Sequence, residues 1–291
     1  KFQTFKAKEF CGDPKQLFTY KSQNKLVTEN MLDMFSRFEL KKDEWIKIKK
    51  FAEIKKINFF SSPQNSSDLD FLIEIGVKCI KVGSDDLTNT EMLKYFSTKK
   101  LPLILSSGMS TLTEINDALL SSGWFEGNNV AMLSCTSEYP TPIENLNILK
   151  IKTIKNSFPG LTVGFSDHSI GNLAAVLAIA NGAKIFEKHF TLSNDLPGPD
   201  HWFSENPTSL KKWINNIHQA HKALGNGLIL PTKQEKFNSQ EWRRVIVCKT
   251  NIKKGDLIKR KNLVLMRVSG KKGLDSKFIN EIINKKSWRS F

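Results

Sequence analysis

The chain has 291 residues, 40% hydrophobic and 25% charged, enough to bury a large core and to carry a smaller unit beside it. No window approaches the ~20 continuous apolar residues of a membrane span, and the start lacks the apolar stretch of a secretory leader, so membrane association is not expected and a cytoplasmic location is. The formal charge of +15 raises nucleic acid as a partner. Its lysines, however, are spread through helix-like stretches such as LKKDEWIKIKKFAEIKK and mixed with Glu, the pattern of a solvated face, so no nucleic-acid partner is expected and small anionic substrates suit the charge.

In chain order, a β-rich run that ends in polar or glycine residues is repeatedly followed by an amphipathic stretch. KFQTF opens the chain as the end of one such run. INFFSSP (57–63), CIKVGS (79–84), LPLILSSG (101–108), VAMLSCTS (130–137), LTVGFSDH (161–168) and AKIFEKHF (183–190) follow. Between them lie SDLDFLIEIG, NTEMLKYFST, TLTEINDALLSSG, IENLNILKIKTIKNSF and IGNLAAVLAIANG, each with helical spacing of its apolar residues. Consecutive βα units predict a parallel sheet or barrel. The fold class expected is α/β, a (β/α)8 barrel over 1–225 that lacks its first strand, because the runs supply seven strands and the architecture needs eight. GNGLILPTKQEKFNSQ reads as a connector over 226–240, and 241–291 as a small β-rich domain with Gly turns. Cys11, Cys79, Cys135 and Cys248 form no CxxC pair and no zinc-type spacing; Cys79 and Cys135 read as small core residues.

In a parallel barrel the strand ends converge on one mouth. Those ends here are Lys1 and Gln3, Ser62, Lys81 and Ser84, Ser106, Ser137 and Tyr139, Ser166 and His168, and Glu187 with His189. A lysine at a buried strand end needs a counter-charge, so Lys1 and Lys81 with the surrounding hydroxyls suggest a cage for a phosphate. Ser106, Ser107 and Gly108 precede a helix and read either as capping or as an anion cradle. His168 and His189 close adjacent strands, ~5 Å apart, within reach of one divalent ion or satisfied independently. Asp167 reads as a partner of that site or as a helix cap. Glu187 shares a strand face with His189 and not with Lys188, which makes it a candidate acid/base and predicts that Lys188→Ala is mild.

KFQTF, FSSP, KVGSDDLTN, LILSSGM, CTSEYPTP, GFSDHSIG and EKHFTLSNDLPGPDH together resemble the sialic acid synthase family, which includes legionaminic and pseudaminic acid synthases. The tail RRVIVCKTNIKKGDLIKRKNLVLMR resembles that family's antifreeze-like (SAF) domain, with RVSGKKGL standing where the family has an RPGxGI-like turn. The resemblance implies condensation of phosphoenolpyruvate with an N-acetylated aminosugar, N-acetylmannosamine or a related 6-deoxy sugar, into a nine-carbon acid. Phosphate leaves by C–O cleavage, and the cofactor is Mn2+ or Mg2+. It implies that Lys1, Gln3, Ser62, Lys81, Ser84, Ser106, Ser137 and Ser166 hold phosphoenolpyruvate and that His168 and His189 bind the metal. Glu187 is then the acid/base, Tyr139 and Asp200 touch the sugar, and Arg267 reaches a partner's site in a domain-swapped homodimer. Two other readings stay open at this point: a different metal-dependent barrel aldolase or phosphoenolpyruvate-condensing synthase, and a noncatalytic remnant whose tail serves dimerisation or carbohydrate binding.

Overall fold

Each predicted β-rich run contains a strand that is shorter than the run. In the computed structural model, which describes every residue except Lys272 in the RVSGKKGL turn, the first strand is β1 (Phe2–Thr4). A short helix α1 (Ala7–Phe10), a hairpin of β2 (Leu17–Ser22) and β3 (Lys25–Asn30), and helices α2 (Met31–Phe38) and α3 (Lys42–Ile54) follow. Strand and helix then alternate: β4 (Ser61–Pro63), α4 (Ser66–Glu74), β5 (Ile80–Val82), α5 (Thr90–Thr98), β6 (Leu103–Ser106), α6 (Leu112–Ser121), β7 (Val130–Cys135), α7 (Lys150–Ser157), β8 (Thr162–Asp167), α8 (Leu173–Ala180), β9 (Phe186–Lys188) and α9 (Pro207–Leu224).

The hairpin is absent from the sequence reading above. Its two-residue turn, Gln23 and Asn24, takes φ of 49° and 61°, the left-handed pair that matches strand twist. Gln in place of Asn or Asp before the second turn residue makes the signal weak. Ser22 Oγ accepts from the Gly198 N–H at 3.0 Å, Gln23 Nε2 donates to the Asp195 carbonyl at 2.8 Å, and Lys21 Nζ lies 4.3 Å from the Trp202 ring centroid. The hairpin is thereby tied to the loop that follows β9.

The seven strands pair in the order β1-β4-β5-β6-β7-β8-β9, every pair parallel. Laid flat, strands ~4.8 Å apart would hold the outer two roughly 29 Å from each other. Yet Lys1 Nζ, at the head of β1, is 3.1 Å from Glu187 Oε1 on β9. The sheet is therefore curled into a half-barrel whose first and last strands face each other across the mouth. Helix ends are set by side chains: Thr111 and Glu114 form a reciprocal cap on α6, Asn89 caps α5, and Asn206 with Pro207 starts α9. The core lies between sheet and helices, with all six residues of β7 buried and Met92, Leu93 and Phe96 of α5 facing it. Gly164 on β8 is required by packing, since a Cβ there would meet the Ile185 carbonyl and Leu133.

This unit spans Lys1–Gly225; a second spans Asn226–Phe291. Within the stretch read as a connector, Thr232 and Glu235 cap a helix, α10 (Lys233–Trp242). In the second unit β10 (Val245–Cys248) pairs antiparallel with β11 (Leu263–Met266) and β12 (Leu274–Asp275), and helix α11 (Ile279–Ile282) follows. Ile246, Ile252 and Leu263 form its core. Among the described residues no helix is long and apolar enough to cross a membrane.

Asp68, in the first turn of α4, is 4% exposed and its Oδ2 has no hydrogen-bond partner among the described residues. Burial, aided by nearby Glu9, pushes its pKa up from 3.8 to about 6. A raised folded-state pKa means that the fold favours the protonated form, so this group's contribution is fully present below 3.8 and is lost as pH rises through about 6. Asp68→Asn is expected to stabilise the chain at pH 8 by about 1 kcal/mol in urea unfolding, with the gain vanishing in acid. Equal midpoints at pH 8 would rule out a buried ionised Asp68.

Candidate active site

Glu187 is the centre of the mouth. It lies on β9, 3.1 Å from Lys1 Nζ and 3.6 Å from Lys81 Nζ, and accepts from Ser166 Oγ at 2.9 Å. Lys81, on β5 and 3% exposed, also donates to Ser106 Oγ at 2.6 Å and to the Val82 carbonyl at 2.8 Å. Burial alone would raise the Glu187 carboxyl, but Lys81 and Lys1, with the Ser166 hydroxyl, hold it down at about 2. Burial acts in the opposite sense on Lys81 and pulls its ammonium below the usual lysine range, with Glu187 resisting. Two cations and one carboxylate thus share a small, largely buried volume, an arrangement ready to exchange the carboxylate for another anion.

Hydroxyls surround this group. Ser84 Oγ accepts from the Gly108 N–H at 3.0 Å, and a Cβ on Gly108 would collide with the Ser84 and Ser137 hydroxyls, so only glycine lets the β6–α6 turn approach them. Ser137 Oγ is buried with no partner among the described residues. A buried hydroxyl without a partner is costly unless something else supplies the bond. Ser62 is 2% exposed and is the register partner of Gln3, which is itself exposed and not joined to the cluster by a hydrogen bond.

Ser166 links this cluster to the histidines, its Oγ being 3.4 Å from His168 Nε2. His168 Nδ1 lies 2.7 Å from the Thr136 carbonyl, which places the proton on Nδ1 and leaves Nε2 as the free donor atom. The His168 and His189 rings are 5.2 Å apart at 83°, and His189 Nδ1 is 3.4 Å from Asp200 Oδ2. Tyr139 stacks over His168 with centroids 4.3 Å apart and meets His189 at 5.6 Å. Imidazole is a donor type that suits a borderline divalent ion, and His168 and His189 are the pair that could hold one. Among the described residues no three His, Cys, Asp or Glu gather closely enough to hold a metal ion. Cys135, read as a core residue, is buried but lies with Sγ 3.7 Å from His168 Nδ1. Arg267 follows β11 in the second unit and is exposed.

The other face of the same strands corrects the reading of Lys188 as a bystander and gives Asp167 the capping role, with a buried ion pair besides. Lys188 does point away from Glu187, but into protein: its side chain is 3% exposed, and its Nζ is 2.9 Å from Asp167 Oδ2, hydrogen-bonds the Ser169 carbonyl and lies 3.9 Å from Glu205. Asp167 is wholly buried and also accepts from the Ser169 N–H and hydroxyl and from Trp213 Nε1 at 3.1 Å. It pins α9 and the β8–α8 turn to the sheet, and among the described residues no hydrogen bond or ion pair joins it to either histidine ring. Glu205, at the end of the β9 loop, and Trp213, on α9, lie some distance along the chain, so no local pattern announces the network.

A half-barrel of parallel strands with a lysine, carboxylate and histidine mouth defines an α/β enzyme of the class that handles small anions at strand ends. A model of the NeuB family matches residues 1–228, and the chain belongs to that family of sialic acid synthase-type enzymes. It is 34% identical over 271 residues to the N,N'-diacetyllegionaminic acid synthase of Legionella pneumophila, covering 92% of this chain and 76% of the relative. The Campylobacter jejuni enzyme of the same name is 33% identical over 293 residues, covering 100% of this chain and 87% of the relative. Among solved structures, the N-acetylneuraminic acid synthetase of Leptospira borgpetersenii in complex with citrate superposes with a TM-score of 0.67 at 32% identity, covering 72% of each chain.

Proposed function

We propose that this protein condenses phosphoenolpyruvate with an N-acetylated aminosugar aldehyde to give a nine-carbon nonulosonic acid, releasing phosphate by C–O cleavage. The observation that carries the reading is the Lys1–Glu187–Lys81 triad, bridged by Ser166 to His168. Phosphoenolpyruvate brings a phosphate and a carboxylate to two lysines that already sit in a low-dielectric pocket, where each charge pair counts for more than in water. The hydroxyls of Ser84, Ser106, Ser137 and Ser166 surround it, and Gln3 and Ser62 line the β1–β4 side. Tyr139 and Asp200 take the sugar.

His168 and His189 would hold a divalent ion, which would supply Lewis acidity toward the aldehyde oxygen. Glu187, released from the lysines once they engage the substrate anion, remains buried and its carboxyl rises toward the range of a working base. It then accepts the proton of the water that adds at C2, and collapse of that adduct breaks the C2–O bond to phosphate. The second unit serves as an SAF domain that carries Arg267 to the mouth of a partner in a swapped homodimer.

The test is phosphate release from phosphoenolpyruvate with Mn2+ and a panel of N-acetylmannosamine and diacetylated 6-deoxy sugars, with the nine-carbon acid identified by mass. Release that needs both metal and one sugar supports the proposal; silence with every sugar from folded protein overturns it. His189→Ala is expected to abolish the metal-dependent turnover, and activity equal to wild type across a metal titration would remove the metal assignment.

A further inference from the structure

Beside the mouth, and sharing Ser137 and Cys135 of β7 and the turn after it as a common wall, a cavity of about 670 Å3 opens between the first turns of α6 and α7. Its floor is apolar, with Ile115 and Ile154 buried and Leu112 at the rim. Its single lysine, Lys150 on α7, is half-buried and donates to the Cys135 carbonyl at 3.1 Å and to Thr136 Oγ1 at 2.9 Å, both uncharged. Among the described residues no carboxylate lies within ion-pair distance of it; Glu138, at the cavity edge, is 2.9 Å from Asn145 Nδ2 instead. A half-buried ammonium lacking a counter-charge, with one N–H left over, beside an apolar hollow of small-ligand size, is the composition of a binding site rather than of a packing defect.

We propose that this cavity binds a small amphipathic carboxylate, its anionic head on Lys150 and its apolar body against Leu112, Ile115 and Ile154. Ser107, Ser110 and Asn147 line the rest of the cavity, but Lys150 is its one cation and Glu138 at its edge adds a negative charge, so a monoanion suits it better than a phosphate dianion. The cavity's inner wall is the end of β7, and Thr136 there carries the carbonyl that bonds His168 Nδ1. Lys150 grips that wall, so a ligand that draws on the lysine shifts the support of His168 and of the Ser137 and Tyr139 loop. The site is thus a regulatory one, and its existence does not depend on the reaction proposed above.

The experiment uses hexanoate as probe, with hexan-1-ol and hexylamine as controls, in ligand-observed NMR titrations of the full chain. Saturable hexanoate binding is expected, weakened about tenfold for hexanol and in Lys150→Met, the loss of one charge-assisted contact. Thr153→Trp, an exposed position on the rim, fills the cavity and removes binding while keeping the wild-type thermal midpoint. Coupling is read from the His168 ring resonances, which move on hexanoate saturation in wild type and stay fixed in Thr153→Trp. No saturable binding, equal binding of hexanol, or undiminished binding in folded Thr153→Trp overturns the site; still His168 resonances at saturation overturn the coupling.

Discussion

Lys188→Ala is expected to destabilise the folded chain by about 3–5 kcal/mol, the cost of stranding one member of a buried ion pair. Asp167 would be left wholly buried, still accepting from Ser169 and Trp213 but without the cation 2.9 Å away. Glu205, at 3.9 Å, loses the same partner. Trp213 donates to Asp167, so its fluorescence reports on the damaged network during urea unfolding. Replacing both charges together, as Lys188→Met with Asp167→Asn, should recover much of the loss, since the penalty is that of an unpaired charge rather than of a missing bond. A midpoint for Lys188→Ala within experimental error of wild type would show that the pair contributes nothing, and would restore the reading of Lys188 as a bystander to His189.

Much of the gathering of side chains at the mouth is legible in the sequence. Period-2 alternation along AKIFEKHF separates Glu187 from Lys188, and convergence of parallel strand ends brings Lys1, Lys81, Ser106 and Ser166 to one place although they are far apart in sequence. What alternation does not report is where the opposite face points. In a sheet covered by helices both faces are interior, so Lys188 is as buried as any catalytic group, and its partners come from the β9 loop and α9. Asp167 shows the same limit: one carboxylate caps the turn after β8 through Ser169 and pairs with Lys188, and sequence carries only the first of these signals. The β2–β3 hairpin escaped notice because Gln23-Asn24 is a poor advertisement for a turn with two positive φ values. Cys135 could be recognised as buried, but its proximity to His168 is a property of the register between β7 and β8.

Glu187→Gln should lower kcat about 10²–10⁴-fold, the usual contribution of a positioned base, while leaving KM for phosphoenolpyruvate unchanged or lower. The split follows from the charges. In the free protein Glu187 occupies Lys81 and Lys1, and an incoming anion must displace it; the amide competes less well for both lysines, so anion binding does not suffer even as the base is lost. The same competition sets the pH dependence. With its carboxyl held at about 2 against an ordinary 4.5, Glu187 contributes stability that is present above 4.5 and is lost as pH falls toward 2. Once the lysines turn to phosphate, burial, which raises Glu187, is opposed by the Ser166 hydroxyl alone. The acid limb of kcat is therefore expected at higher pH than any acid limb of kcat/KM that Glu187 causes, a separation that Glu187→Gln should abolish. A variant whose kcat is intact, or whose KM for phosphoenolpyruvate rises by as much as its kcat falls, would make Glu187 a binding residue and take the base out of the mechanism.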